Sequence, residues 1–181
     1  MRTSLTTFAL ALAFASIAAG DAGAQLVGRN ETVYSWRGTI PNGRLFTIRN
    51  FNGPITVRPA TGSTTELRAE KKPRGGASVT DVAFDVQTAS NGDVTICATQ
   101  DDDSCEGNHR SRGNWRNREV TVEMTVLVPR GVRVRLGTGN GAVSVERAGS
   151  EVEASTGNGR VRVVETEGDE LRNVNMPADL A

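Results

Sequence analysis

The tetrapeptide TGNG occurs twice, beginning at Thr138 and at Thr156, a spacing of 18 residues. Cut into nines, this part of the chain reads TGNGAVSVE, RAGSEVEAS, TGNGRVRVV. Positions six and eight are Val143 and Val145, then Val152 and Ala154, then Val161 and Val163. Each nonapeptide therefore predicts a glycine-containing turn followed by a short strand whose alternate residues face inward. Two nonapeptides make one coil of about 18 residues. That is the pattern of a β-solenoid or β-roll, in which each apolar pair is covered by the coils above and below it.

A nine-residue roll raises the question of calcium, because the calcium-binding repeat carries an aspartate at position six. Val143, Val152 and Val161 stand there instead, and a hard cation needs oxygen ligands. The expectation is a roll that binds no calcium, with no cofactor or metal site assigned. The asparagines have a similar choice of readings. Asn52-Gly53, Asn91-Gly92, Asn140-Gly141 and Asn158-Gly159 each precede a strand-like segment. A ladder of asparagines can line a ligand-binding face. Left-handed turn backbone, which Asn and Gly tolerate best, accounts for all four pairs without a ligand, so they are read as turn-forming.

Alternation of apolar and polar residues runs through the rest of the chain. Val120, Val122, Met124, Val126 and Val128 are apolar at every second position, up to Pro129. Val132, Val134 and Leu136 continue the pattern, and Val82, Phe84 and Val86 pair with Val94 and Ile96 across Asn91-Gly92, a type I′ hairpin signal. Leu45–Arg49, Ile55–Val57 and Glu66–Ala69 are further short strands, while KKPRGGAS (Lys71–Ser78) reads as a loop. The expected fold is all-β.

The two ends set the domain limits. Phe8–Ala19 is an apolar run behind Arg2, too short to span a bilayer, and Ala22-Gly23-Ala24 is a small-x-small cleavage site. Residues 1–24 are thus expected to be a secretory signal peptide, cut between Ala24 and Gln25 to leave 157 residues. No later run is apolar enough to span a membrane. The product is expected to be exported, in the periplasm, on the cell surface or secreted. Residues 25–164 are read as one all-β domain, with a polar loop at 101–117. In the next nonapeptide, ETEGDELRN, the inward positions are Glu170 and Arg172. Val164 is therefore expected to close the regular structure, leaving 165–181 as an irregular tail or a polar cap.

Export also settles the cysteines. Cys97 and Cys105 are the only two, and an even pair this close in an oxidising compartment is expected to form a disulfide. Two thiols at this spacing fit neither a metal site nor a nucleophile. After cleavage, 20 basic residues balance 20 acidic ones, which argues against nucleic acid or an anionic membrane as the organising partner. Arg110, Arg112, Arg116 and Arg118 around Trp115 are matched by Asp101, Asp102, Asp103 and Glu106 in the same loop. Catalysis finds little footing, since His109, the only histidine, lies in that loop and the carboxylates crowd there rather than lining a groove.

The segments NFNGPITVRPA, SNGDVTICA, TVLVPRGVRVRLGTGNGAVSV and GSEVEASTGNGRVRV resemble the putative adhesin domain of exported bacterial proteins. The resemblance covers roughly Tyr34–Val164 and implies a β-solenoid-like stack and surface attachment, with no catalytic or ligand residues to carry over. The expected function is a non-catalytic exported module for interaction at the cell envelope or surface. Its partner would be an envelope polysaccharide, an envelope protein or another copy of itself. The alternatives are a solenoid-type enzyme acting on polysaccharide, and an envelope-stress or self-assembling structural module.

Overall fold

The computed structural model describes residues 25–100, 105, 119–164 and 171–173. Ala24, the rest of the signal segment and nearly all of the 101–117 loop lie outside the described residues. Thirteen strands follow one another: β1 (Gln25–Val27), β2 (Val33–Gly38), β3 (Leu45–Asn52), β4 (Ile55–Pro59), β5 (Thr65–Arg74), β6 (Val82–Thr88) and β7 (Val94–Gln100). Then come β8 (Glu119–Val128), β9 (Arg133–Asn140), β10 (Val143–Glu146), β11 (Val152–Asn158), β12 (Val161–Val164) and β13 (Leu171–Asn173). One 3-10 turn, Val79–Asp81, precedes β6. It is fixed by Ser78, whose side chain accepts from the Thr80 amide while Asp81 accepts from the Ser78 amide.

The strands form two sheets, ordered β1-β6-β7-β3-β9-β11-β13 and β12-β10-β4-β8-β5-β2. Their centres are parallel, and the chain alternates between them. It passes from β3 to β4, from β7 to β8, and from β9 through β10 and β11 to β12, changing sheet each time. The 18-residue beat is visible in the pairing: Val134 lies beside Val152 and Val143 beside Val161. The same rungs continue onto earlier chain, with Phe46 beside Val134 and Ile55 beside Val143. The beat does not describe the whole chain, however. β6 runs antiparallel to β1 and β7, and β5 to β2 and β8, so that end is an antiparallel arrangement, with β6–β7 as a hairpin, rather than coils.

Both sheets contribute to one apolar core. Phe46, Ile48 and Ile96 from the first, and Ile55, Val57, Val122 and Val143 from the second, have no exposed surface. Burial of each such side chain contributes about 1.5–3 kcal/mol, which is what holds short strands with little intrinsic stability in place. Tyr34 stacks on Phe84 at 4.6 Å and Trp36 on Phe46 at 5.4 Å, linking β2 to strands of the other sheet.

Three expectations need correction. KKPRGG is not all loop: Lys71–Arg74 extend β5 and pair with Glu119–Val122 of β8. Pro73 is tolerated because it lies beyond Glu70, the last β5 residue paired to β2, so its missing N–H breaks no ladder. The Asn91-Gly92 hairpin is not type I′, since Asn91 lies outside the left-handed region and only Gly92 (φ 89°) enters it. The Gly92 amide donates to the Ala89 carbonyl and the Ala89 amide to the Asp93 carbonyl, a five-residue turn ending in a glycine bulge. Third, Val164 does not close the regular pairing. β13 pairs with β11, placing Leu171 beside Val152 and Asn173 beside Ala154. The offset there is 19 residues rather than 18, and a one-residue slip exchanges the two faces of a strand. Leu171 and Asn173, not Glu170 and Arg172, thus hold the register positions beside the inward pair, which keeps charge out of those positions.

Candidate functional site

The stacked turns come first, because the repeat makes them. Asn52, Asn140 and Asn158 stand in register on β3, β9 and β11. The Asn158 side chain donates to Asn140 Oδ1 at 2.9 Å, and Asn52 donates to Glu119 Oε1 at 2.8 Å. Beneath them run Asn50, Thr138 and Thr156, also in register and buried. Thr138 donates its hydroxyl to the Gly53 carbonyl at 2.9 Å, and Thr156 donates to that of Gly141 at 2.8 Å. Asn50 takes the same place one rung away and donates to the Val122 carbonyl at 2.8 Å. Hence NFNG (Asn50–Gly53) is a third copy of TGNG, with Asn in place of the buried threonine. The glycines are needed for closeness: a Cβ on Gly159 would strike the Gly141 carbonyl, and one on Gly141 the Gly53 carbonyl. The ladder fastens rung to rung.

Cys97 and Cys105 are bonded, with their Cα atoms 5.6 Å apart. The disulfide lies on the outer side of β7 and is pinned from two strands. The Cys105 amide donates to Asp85 Oδ2 at 2.8 Å, and Arg49 Nη1 donates to the Cys105 carbonyl at 3.1 Å. Asp85 is buried, its Oδ2 also accepting from Gln87 Nε2 at 2.8 Å while Oδ1 has no partner among the described residues. Asp101, Asp102, Asp103, Glu106, His109, Trp115 and the loop arginines lie outside the described residues.

Lys71 was hidden inside a turn-like stretch and is 1% exposed. Its ammonium donates to four carbonyls: Gly28 at 2.6 Å, Arg29 at 3.0 Å, Val79 at 2.9 Å and Val82 at 2.6 Å. It also lies 5.6 Å from the Phe84 ring centroid. Burial pushes its pKa down to about 8, against the pull of Glu31 and with a smaller push from Arg29. Lys71 ties β5 to the segment after β1 and to the 3-10 turn. It is a structural cation.

The end of the stack differs from its interior. Val143 and Val145 on β10 are fully buried, whereas Val161 and Val163 on β12 are half-buried and Val164 is 36% exposed. Among the described residues β12 pairs only with β10. On the outer side of these two strands is an open cleft of about 420 Å³ lined by Ser144, Glu146, Arg147, Arg162 and Val164. Ser144 stands beside Arg162 and Glu146 beside Val164 in the parallel register. Arg58 reaches Glu146 at 3.5 Å. On the other sheet, Arg133 meets Glu151 at 2.6 Å and Arg135 meets Glu153 at 2.7 Å, each pair 18 residues apart. Such partly exposed pairs contribute little stability each, but they favour the 18-residue register over a slipped one.

Of the remaining positions singled out in the sequence, Gln25 is the first residue of β1 and exposed. Gly53, Gly92 and Gly141 adopt positive φ, while Gly159 and all four asparagines do not.

The chain matches no protein-family model and no curated protein. Among the solved structures it resembles is one described as that of a "putative cell adhesion protein" from Clostridium sporogenes ATCC 15579, at 10% sequence identity and a TM-score of 0.39. The match covers 72% of this chain and 60% of that one, so this chain spans less than two thirds of its neighbour's length.

Proposed function

We propose that this chain is an exported, non-catalytic module of β-solenoid type that works by binding at the cell envelope or surface. One observation supports the reading above the others: on the second sheet the described parallel stack ends in β12, a strand whose apolar residues are incompletely covered. The inward pair Val143 and Val145 is sealed, while Val161 and Val163, the equivalent pair on the last rung, are half-buried beside the 36% exposed Val164. Partly covered apolar surface on a sheet edge gains free energy when something lies against it. The rungs behind it are tied by backbone pairing and the Asn–Thr ladders, so binding there orders little additional chain. Export is supported by the signal-like N-terminus, and the Cys97–Cys105 disulfide is compatible with it.

The test is retention of the mature chain on purified envelope material, alongside a panel of envelope glycans monitored for new reducing ends. The expected result is saturable retention without glycan cleavage. Turnover of any glycan, or no retention at all, would overturn the proposal.

A further inference from the structure

We infer that the cleft on the outer face of β10 and β12 is a binding site for the carboxylates of an acidic, uronate-type polysaccharide. The inference rests on the binding role proposed above and names the partner's chemistry. Arg147 is the starting point. It is the only residue other than glycine, among those described, with a left-handed backbone (φ 49°). A Cβ disfavours that region, and glycine would occupy it without strain. The conformation is held by the Arg147 amide, which donates to the Val164 carbonyl at 2.8 Å. An arginine therefore stands where the fold alone favours a glycine, and its exposed side chain lines the cleft. Strain of this kind is concentrated at sites that bind or react.

Arg162 supplies the second observation. It faces the same cleft from β12, beside Ser144. Among the described residues neither Arg147 nor Arg162 has a side-chain hydrogen-bond or ion-pair partner, whereas Arg37, Arg68, Arg133 and Arg135 are each matched to a glutamate. The one acid in the cleft, Glu146, is engaged by Arg58 at 3.5 Å. The lining thus carries two uncompensated guanidinium groups. Their planar forks suit carboxylates in paired hydrogen bonds. Ser144 adds a hydroxyl able to give and accept a bond from a sugar hydroxyl, and Val164 an apolar flank. An open cleft of about 420 Å³ admits part of a long polymer as readily as a free end.

Affinity of the mature chain for polygalacturonate, with neutral dextran as comparator, tests this at physiological ionic strength. Polygalacturonate should bind and dextran should not. Arg162→Gln should weaken binding by about tenfold or more, as the loss of a charge-assisted contact does. Arg147→Gly should weaken it comparably while the melting temperature holds or rises, a combination that a purely structural role for Arg147 does not give. Equal binding by parent and variants, equal binding of dextran, or no binding of polygalacturonate would overturn the inference. Retention on envelope material that survives both substitutions would overturn this site while leaving the wider binding role standing.

Discussion

The side-chain amide of Asn158 donates to the Oδ1 of Asn140, 2.9 Å away and 18 residues earlier in the chain. The bond joins equivalent atoms of two successive rungs, so it exists only when the parallel register is kept. The carbonyls of Gly53 and Gly141 are held in the same way by Thr138 and Thr156. Side chains that look like a ligand-binding stripe in the sequence are mostly spent on each other and on the backbone.

Gly141→Ala should be costly for that reason. The new methyl meets the Gly53 carbonyl, and the backbone is at φ 143°. Loss of about 3 kcal/mol is expected from clash and strain together. Gly43→Ala is the control: φ is 76° but nothing lies within 4 Å of the added carbon, so only the cost of a left-handed residue, about 1 kcal/mol, should appear. Urea denaturation of the two variants measures the difference.

Replacing Cys97 and Cys105 together by serine should lower stability by about 2–3 kcal/mol, the loop-closure value for so short a ring. The loss should be accompanied by faster proteolysis next to Cys105, because among the described residues only Asp85 and Arg49 then hold it. Intact mass of the parent chain under non-reducing conditions should show no free thiol.

Stability should change with pH in two opposite directions. Lys71 has a pKa near 8 in the folded chain against 10.5 free, so between those values the unfolded chain holds more protons and stability rises with pH. Tyr34 is pushed up to about 12 from 10.0, by burial first and then by Glu31, so between pH 10 and 12 the unfolded chain loses its proton first and stability falls. The two groups together place their maximum near pH 10, with slopes of up to about 1.4 kcal/mol per pH unit. Chemical denaturation at stepped pH follows both limbs, and Tyr34→Phe should remove the falling one.

Arg147→Gly should stabilise the fold by about 1 kcal/mol, the relief of a left-handed arginine less the added freedom of glycine in the unfolded chain. Thermal unfolding reads it directly, and a destabilised variant would show that the Arg147 side chain has a structural task.

Much of this architecture is legible because it is periodic. Val143, Val145, Val152 and Ala154 sit inside as their spacing requires, and the two cysteines pair as their close, even spacing predicts. What escapes has a physical reason in each case. Asn50-Phe51-Asn52-Gly53 is hard to see as a third TGNG because its partner strands lie far along the chain and Asn replaces the buried threonine. Lys71 is masked by Pro73 and the two glycines that follow, which are turn signals even though β5 runs through to Arg74. The β13 register depends on one extra residue between rungs, and periodicity alone cannot say where a chain will slip. The cleft is invisible in the sequence, since the φ of Arg147 and the lack of a partner for Arg162 among the described residues are properties of packed neighbours.

The central claim is that the chain acts by binding through the β12 end of its stack. The most direct measurement is retention on purified envelope material of the parent mature chain against an Arg162→Glu/Val164→Glu double variant. Both positions lie on the exposed side of β12, so the variant should melt within a few degrees of the parent. The account predicts that retention falls by about tenfold or more, from reversed charge and lost apolar contact combined. A double variant that folds and is retained as well as the parent would contradict it.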